Sequence, residues 1–232
     1  MLVIRKADDR GHANHGWLDS FHTFSFGGYR DPAHMGVSNL RVINDDTVAP
    51  GGGFAEHGHH DMEIISYVLD GALEHQDSMG NGSVIRPGDV QRMSAGTGVT
   101  HSEYNHSSVE PVHFLQIWLQ PNTLGVEPGY DQQHFPIADR RGRWKLLVSP
   151  DGHDDSIATH QEALLFGTLL ARGETLDYRF DADRQGYLHL ARGRLQVGNA
   201  TLRQGDGLKI HRHELLELEG IEDAEILLFD LP

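Results

Sequence analysis

Two short histidine motifs have the residue types and spacing of a metal site. One residue separates His57 from His59, and one residue separates His101 from Glu103. Residues i and i+2 of a β-strand face the same side, so each pair points one way if its segment is extended. Two such strands lining one barrel would bring three imidazoles and a carboxylate together. These ligands suit Fe(II), Mn, Ni, Cu or Zn and leave positions open for substrate or dioxygen.

Two glutamates compete for the carboxylate position of this predicted site. Glu103 belongs to the second motif and has the strand parity of His101. Glu63 follows His59 after three residues and has the parity of that histidine. The residues alone leave both assignments open.

Short apolar runs between turn residues indicate the elements that must position these side chains. Runs such as Ile64–Leu69 and Val112–Leu119 are rich in β-branched and aromatic residues and are bounded by Gly, Pro, Asp or Asn. Glycine accounts for 27 of the 232 residues, which fits many tight turns. We expect short helices only near Trp17–Ser20 and His160–Glu162. The pattern predicts an all-β protein, a sandwich or a barrel.

An internal repeat predicts two related barrels. Each copy reads strand, glycine turn, strand, Gly-Asp turn and strand, and the copies begin at Tyr67 and Tyr187. We therefore expect an N-terminal domain over residues 1–134 and a C-terminal domain over residues 135–232. The boundary is expected in the stretch 121–142, which is rich in proline, glycine and charge.

The second half also contains a motif that mimics the first histidine pair. It consists of His211, His213 and Glu217 at the same spacing. The chain after Glu217 is too short for the strands of a second motif. The repeat also places Arg179 and Leu218 where the first copy has His57 and His101. We therefore expect the second barrel to bind no metal and its two histidines to lie at the surface or between domains.

Composition excludes several classes of function. The sequence has no cysteine, which rules out disulfide scaffolds, thiol catalysis, Fe–S clusters and cysteine-bound zinc. Its 19 Lys and Arg against 34 Asp and Glu give a net charge of −15, which disfavours direct binding to nucleic acid or an anionic membrane. We recognise no membrane span and no signal peptide, so we expect a soluble cytoplasmic protein.

The spacing of both histidine motifs resembles that of the cupin superfamily. The second signature is met at Gly98, His101 and Asn105, but Gly96 stands where proline is usual. Denser similarity, from about residue 15 to 120, is to the pirin family. It is carried by the segments His22–Tyr29, Asp31–Asp45, His59–Glu63, Asp77–Asn81 and Met93–Glu103.

The resemblance to pirins implies a bicupin, with two tandem cupin-type, jelly-roll barrels. It implies one metal in the N-terminal barrel, held by His57, His59, His101 and Glu103, and none in the degenerate C-terminal barrel. Fe(II) is the expected metal, with Zn, Ni, Mn, Cu or Co as alternatives. Glu63 then becomes a hydrogen-bond acceptor behind the ligands or a barrel-lining group.

Within this family the chain is most similar to pirin-like quercetin 2,3-dioxygenases. The similarity implies a metal-dependent dioxygenase that opens a flavonol-type ring with O2, so a small aromatic substrate is expected. Glu103 is then also the expected catalytic base for a substrate hydroxyl. The alternative is a metal-containing regulatory cofactor that binds a protein partner without turnover, and a third hypothesis is another cupin reaction such as isomerisation.

Overall fold

The protein is described by a computed structural model that covers residues 1–212 and 215–232. In the N-terminal half the strands are β1 (Leu2–Arg5), β2 (Gly11–Asn14), β3 (Leu18–His22), β4 (Leu40–Val48), β5 (Gly53–His59), β6 (Glu63–Asp70), β7 (Leu73–Asp77), β8 (Gly82–Ile85), β9 (Asp89–Ser94), β10 (Val99–Asn105), β11 (Val112–Leu119) and β12 (Gly129–His134). In the C-terminal half they are β13 (Lys145–Ser149), β14 (Ile157–Ala158), β15 (Leu164–Leu170), β16 (Thr175–Arg179), β17 (Gln185–Arg192), β18 (Arg194–Val197), β19 (Ala200–Arg203), β20 (Gly207–His211), β21 (Leu215–Gly220) and β22 (Ala224–Leu231).

The strands form two sandwiches of the same design, each with a seven-stranded and a four-stranded sheet. The N-terminal sheets have the orders β12-β9-β6-β11-β4-β3-β2 and β5-β10-β7-β8. The C-terminal sheets have the orders β1-β20-β17-β22-β15-β13-β14 and β16-β21-β18-β19. Strands β4 to β11 therefore correspond in order to β15 to β22. The predicted all-β fold of two tandem jelly-roll barrels is confirmed.

The two sandwiches pack together through their large sheets. One apolar cluster contains Ile65 and Tyr67 of β6 together with Tyr187 and Phe229 of the other half. The opposite face of β6 contributes Val68 to a second cluster inside the N-terminal sandwich. Because β6 is covered on both faces, its sequence from Ile64 to Leu69 is an apolar run interrupted by Ser66 rather than an alternating pattern.

One strand crosses between the two halves. Residues of β1 pair antiparallel with those of β20, with Leu2 opposite Ile210 and Arg5 opposite Gly207. In the C-terminal sheet β1 takes the edge position that β12 takes in the N-terminal sheet. We retain the domain division at residues 134 and 135 as a proposal. It assigns β1 to a different domain from the sheet that the strand completes.

Both short helices expected from the sequence are wrong. Trp17–Ser20 leads into β3, whose alternating burial places Leu18 and Ser20 on the inward face, and His160–Glu162 is an irregular loop. In the part of the chain that it describes, the structure does contain one short α-helix, α1 (Ile137–Arg140), with Pro136 as its N-cap residue. Within the described residues no helix is long and apolar enough to cross a membrane.

Candidate metal centre

Three histidines from two paired strands converge inside the N-terminal sandwich. His57 and His59 lie on β5, and His101 lies on β10 directly opposite His57 in the antiparallel register. The centroids of the three rings are 4.5–4.9 Å apart. One ring nitrogen of each lies within 4.8 Å of the others. The strands thus bring together the three imidazoles that the sequence singled out.

The hydrogen bonds and the protonation state of these three rings suit the binding of a metal ion. The ring N–H at Nδ1 of His57 donates to the backbone oxygen of Ala55 at 2.8 Å, which leaves Nε2 with a free lone pair. Nε2 of His101 is buried and has no hydrogen-bond partner. Burial and the neighbouring imidazoles lower the pKa of His59 to about 4 and that of His101 to about 3. Neutral imidazole is the form that binds metals.

Glu103 borders the three-histidine cluster through His101. Its side chain is buried, and it accepts hydrogen bonds from the Ser66 hydroxyl at 3.1 Å and from the Gln116 amide at 2.7 Å. Its carboxylate lies within 4.8 Å of ring nitrogens of His101 and His75, whereas His57 and His59 group with His101 alone. His101 therefore joins the two sets of ligand atoms.

Glu63 faces away from the cluster. Its carboxylate accepts hydrogen bonds from Ser94 at 2.8 Å and from Thr159 at 2.7 Å. Glu63 is the first residue of β6, and a turn in which Asp61 has φ 46° separates it from β5. Because of this turn, the alternation of side-chain directions along β5 does not continue from His59 to Glu63. On β6, Glu63 and Ser66 lie on opposite faces, and Ser66 is the one that reaches Glu103.

The histidine motif of the second half forms no comparable cluster in the described residues. His211 is exposed at the end of β20, and His213 lies outside the described residues. The strands that correspond to β5 and β10 are β16 and β21, which carry Arg179 and Leu218. The interior of the C-terminal sandwich is instead an apolar cluster that includes Leu195, Leu202, Leu208, Leu216 and Leu218.

Gly96 has a backbone conformation that explains its departure from the usual proline. Its φ is 46°, and a Cβ at this position would lie 2.0 Å from the backbone oxygen of Val126. Proline requires φ near −65° and has a ring in that space. The chain before Val99 therefore reaches β10 by a turn that only glycine permits here.

Two family models account for most of the chain. The model described as Pirin matches residues 3–119, and the one described as Quercetinase C-terminal cupin domain matches residues 146–231. The chain belongs to the pirin family.

Similar proteins extend over the full length of this pirin. It is 46% identical to an Escherichia coli protein named quercetin 2,3-dioxygenase, over 100% of this chain and 99% of that protein. It is 42% identical to a pirin-like protein of Caulobacter vibrioides, over 99% of each. The crystal structure of the E. coli bacterial pirin YhhW in complex with nickel(II) matches with a TM-score of 0.95 and 45% identity, over 100% of this chain and 99% of that one.

A cavity of about 620 Å³ lies near the cluster in this pirin, lined by residues other than the three histidines and Glu103. Its wall is lined by His12, Ala13, His15, Trp17, Leu18, Ser20, His22, Phe26, Gly27, Gly28, Tyr29, Asn44, Asp46 and Phe54. The ring of Phe54 lies 6.4 Å from that of His57. Asn44 stands opposite Gln116 in the strand register, and Gln116 donates to Glu103. The volume is within the range of small-molecule sites.

Three buried polar atoms in the cavity wall lack a hydrogen-bond partner. They are Oδ1 of Asn44, Oδ1 of Asp46 and Nδ1 of His22. Unsatisfied buried polar atoms are uncommon because each costs about 1–3 kcal/mol.

The buried carboxyl group of Asp46 makes the stability of the folded protein depend on pH. Burial, with the charges of Asp45 and Glu103, raises its pKa to about 7, although Ser20 opposes the shift. The folded protein therefore holds a proton that the unfolded chain loses near pH 4, so stability falls as pH rises from about 4 to about 7. In metal-free protein we expect Asp46→Asn to raise the free energy of unfolding at pH 8 by about 1–3 kcal/mol, and less at pH 5.

The matched control for this prediction is the preceding residue. Asp45 pairs with Arg10 at 2.9 Å and with His113 at 2.6 Å. Although burial opposes them, these partners hold the pKa of Asp45 below its usual range. Asp45→Asn should therefore lower the thermal midpoint at both pH values. A lower midpoint for Asp46→Asn at pH 8 than for the wild type would contradict the assignment of a buried, destabilising carboxylate.

The sequence did not point to the residues that hold Glu103 or to the polar cavity wall. Ser66 and Gln116 lie within strongly apolar runs, which is one available signal, since an isolated polar residue on the inward face of a strand needs a partner. Asn44 and Asp46 have the i, i+2 spacing of inward residues on β4.

Proposed function

We propose that this pirin is a metal-dependent quercetin 2,3-dioxygenase. In this proposal His57, His59, His101 and Glu103 hold one divalent transition metal. The observation that carries it is the cluster of three imidazoles bordered by a buried carboxylate. It is supported by 46% identity along the whole chain to a protein named quercetin 2,3-dioxygenase.

The ligand set suits Fe(II), which we propose as the native metal. Imidazole and carboxylate ligands are also compatible with nickel, and a related pirin is described in complex with nickel(II). When bound, such a metal supplies Lewis acidity towards a phenolic oxygen and open positions for dioxygen.

Glu103 is the base in this proposal. A carboxylate beside the substrate hydroxyl can accept its proton, provided the two groups come within hydrogen-bond reach. Its two oxygens are held unequally, because the Gln116 amide donates to Oε2 at 2.7 Å and Ser66 lies 3.1 Å from Oε1. Ser66 has one hydroxyl hydrogen and also lies 3.3 Å from the side-chain oxygen of Gln116. Oε1 is therefore the atom that we propose receives the proton.

The cavity near the cluster has the apolar and polar surfaces that would bind a flavonol. Phe26, Phe54 and Trp17 offer apolar ring surfaces. The side chains of Asn44 and Asp46 place polar groups in the cavity wall. A flavonol has flat aromatic rings with several hydroxyl groups, so both kinds of surface are matched.

Turnover of quercetin under air tests this function. Chelator-treated protein should be inactive, and added Fe(II) should restore quercetin loss together with oxygen uptake. Ni(II), Mn(II), Co(II), Cu(II) and Zn(II) in parallel samples test the native metal, and Fe(II) is expected to give the highest rate per bound ion. Quercetin binding without turnover by the metal-loaded protein would favour the regulatory alternative, and anaerobic conversion would favour another cupin reaction.

A further inference from the structure

A fourth buried histidine stands behind the cluster. His75 lies on β7, the strand that pairs with β10 on the side away from β5. Its Nδ1 is 3.5 Å from Nδ1 of His101, at the outer limit of a hydrogen bond. Its Nε2 is 3.2 Å from Oδ2 of Asp77, and the side chains of both residues are fully buried. The ring also packs against Tyr130, with centroids 5.0 Å apart.

Asp77 is fixed as a hydrogen-bond acceptor. Its Oδ1 accepts the backbone N–H groups of Met79 at 2.9 Å and Asn81 at 3.0 Å. Its Oδ2 accepts the side-chain amide of Asn81 at 2.9 Å in addition to the ring of His75. The turn between β7 and β8 therefore sets which carboxylate oxygen faces the histidine.

These contacts determine where the hydrogens lie. A carboxylate only accepts, so His75 carries its hydrogen on Nε2, and in the neutral ring Nδ1 is then an acceptor. That acceptor faces Nδ1 of His101, which must carry the hydrogen between them. Nε2 of His101 is left with a lone pair, and it is the ring atom that is buried without a partner.

We propose that Asp77 and His75 form a relay that fixes the metal-binding tautomer of His101. The inference rests on the metal centre proposed above, and it assigns both residues a positioning role. Hydrogen bonds to the outer nitrogen of a ligand histidine orient the ring and raise its basicity, and their loss typically costs about 10–100-fold in metal affinity.

A competing assignment makes His75 a ligand. One of its nitrogens lies within 4.8 Å of ligand atoms of His101 and Glu103. Against this, both nitrogens of His75 already have partners, whereas Nε2 of His101 has none. The relay therefore accounts for all four ring nitrogens of the two histidines.

Asp77→Asn tests the relay without touching the metal. The backbone N–H groups of Met79 and Asn81 would hold the amide oxygen in place of Oδ1, so the amide NH2 would face Nε2 of His75. That donor reverses the relay: His75 then donates from Nδ1, and His101 must move its hydrogen to Nε2. We expect Co(II) affinity, measured by competition with a chromophoric chelator, to fall about 10–100-fold.

Two further variants separate the relay from the alternatives. Asn81→Ala loosens the same turn but keeps the Asp77 acceptor, so its Co(II) affinity should stay close to that of the wild type. His75→Phe keeps a ring against Tyr130 and should weaken binding while the visible absorption of bound Co(II) indicates an unchanged ligand number.

Wild-type affinity in Asp77→Asn would overturn the relay. A Co(II) spectrum showing a lost ligand in His75→Phe would overturn it as well, because His75 would then be a ligand. These readouts need no turnover, so the relay can fail while the proposed dioxygenase activity stands. A wild-type protein that binds no Co(II) would overturn both.

Discussion

His101→Ala is expected to reduce bound metal from one ion per chain to a trace. His101 is the residue that joins the other two histidines to Glu103, and only 2% of its surface is exposed. Its removal leaves a void between the two other histidines, His57 and His59, and the buried carboxylate of Glu103. Fewer preformed ligands mean a weaker site. Elemental analysis after dialysis measures the loss, and His57→Ala should behave in the same way.

The matched controls are the histidines of the C-terminal motif. His211 is exposed on β20, so His211→Ala should retain the wild-type metal content. His213→Ala, at a position outside the described residues, should do the same if the N-terminal barrel holds the single site. Equal losses in either control would contradict the one-site model.

Glu103→Gln is expected to reduce quercetin turnover per bound metal by about 10²–10⁴-fold, the usual cost of losing a general base. The substitution keeps the volume of the side chain but removes its charge. Three imidazoles still retain part of the metal, so the rate is normalised to measured metal content. Steady-state kinetics under air give the comparison with the wild type.

Glu63→Gln is the matched control, since it makes the same change in another buried glutamate. Its carboxylate is bound to Ser94 and Thr159, on the opposite face of β6 from the cluster. We expect normal metal content, a loss of turnover no greater than about 10–100-fold, and a stability cost of about 1–3 kcal/mol from a disturbed buried acceptor. Loss of the metal in Glu63→Gln, with greater damage to turnover than in Glu103→Gln, would show that Glu63 is the fourth ligand.

The architecture was accessible from the sequence because local signals agreed with the tertiary structure. The repeat that begins at Tyr67 and Tyr187 corresponds to β6 and β17, which occupy the same place in their sheets. The i, i+2 rule placed His57 beside His59 because β5 pairs in regular register with β10 over these residues, and the register shift lies between Phe54 and His57. In these segments strand geometry alone decides the direction of the side chain.

Other features depend on contacts that a linear pattern does not contain. The parity argument for Glu63 failed because a turn with a left-handed Asp61 lies between β5 and β6. The support of Glu103 by Gln116 depends on the sheet that packs across the barrel, and the pairing of β1 with β20 joins residues about 200 positions apart. The His75–Asp77 pair did have a local signal, because the two residues share the i, i+2 spacing that singled out the ligand pairs.

Anomalous X-ray diffraction from crystals of the metal-loaded protein tests the metal centre most directly. Data collected at the absorption edge of the bound metal locate it independently of any activity. We predict one strong peak per chain, with nitrogens of His57, His59 and His101 and an oxygen of Glu103 at about 2.0–2.2 Å. A peak bound by Glu63 instead of Glu103, or one at His211, would contradict this prediction.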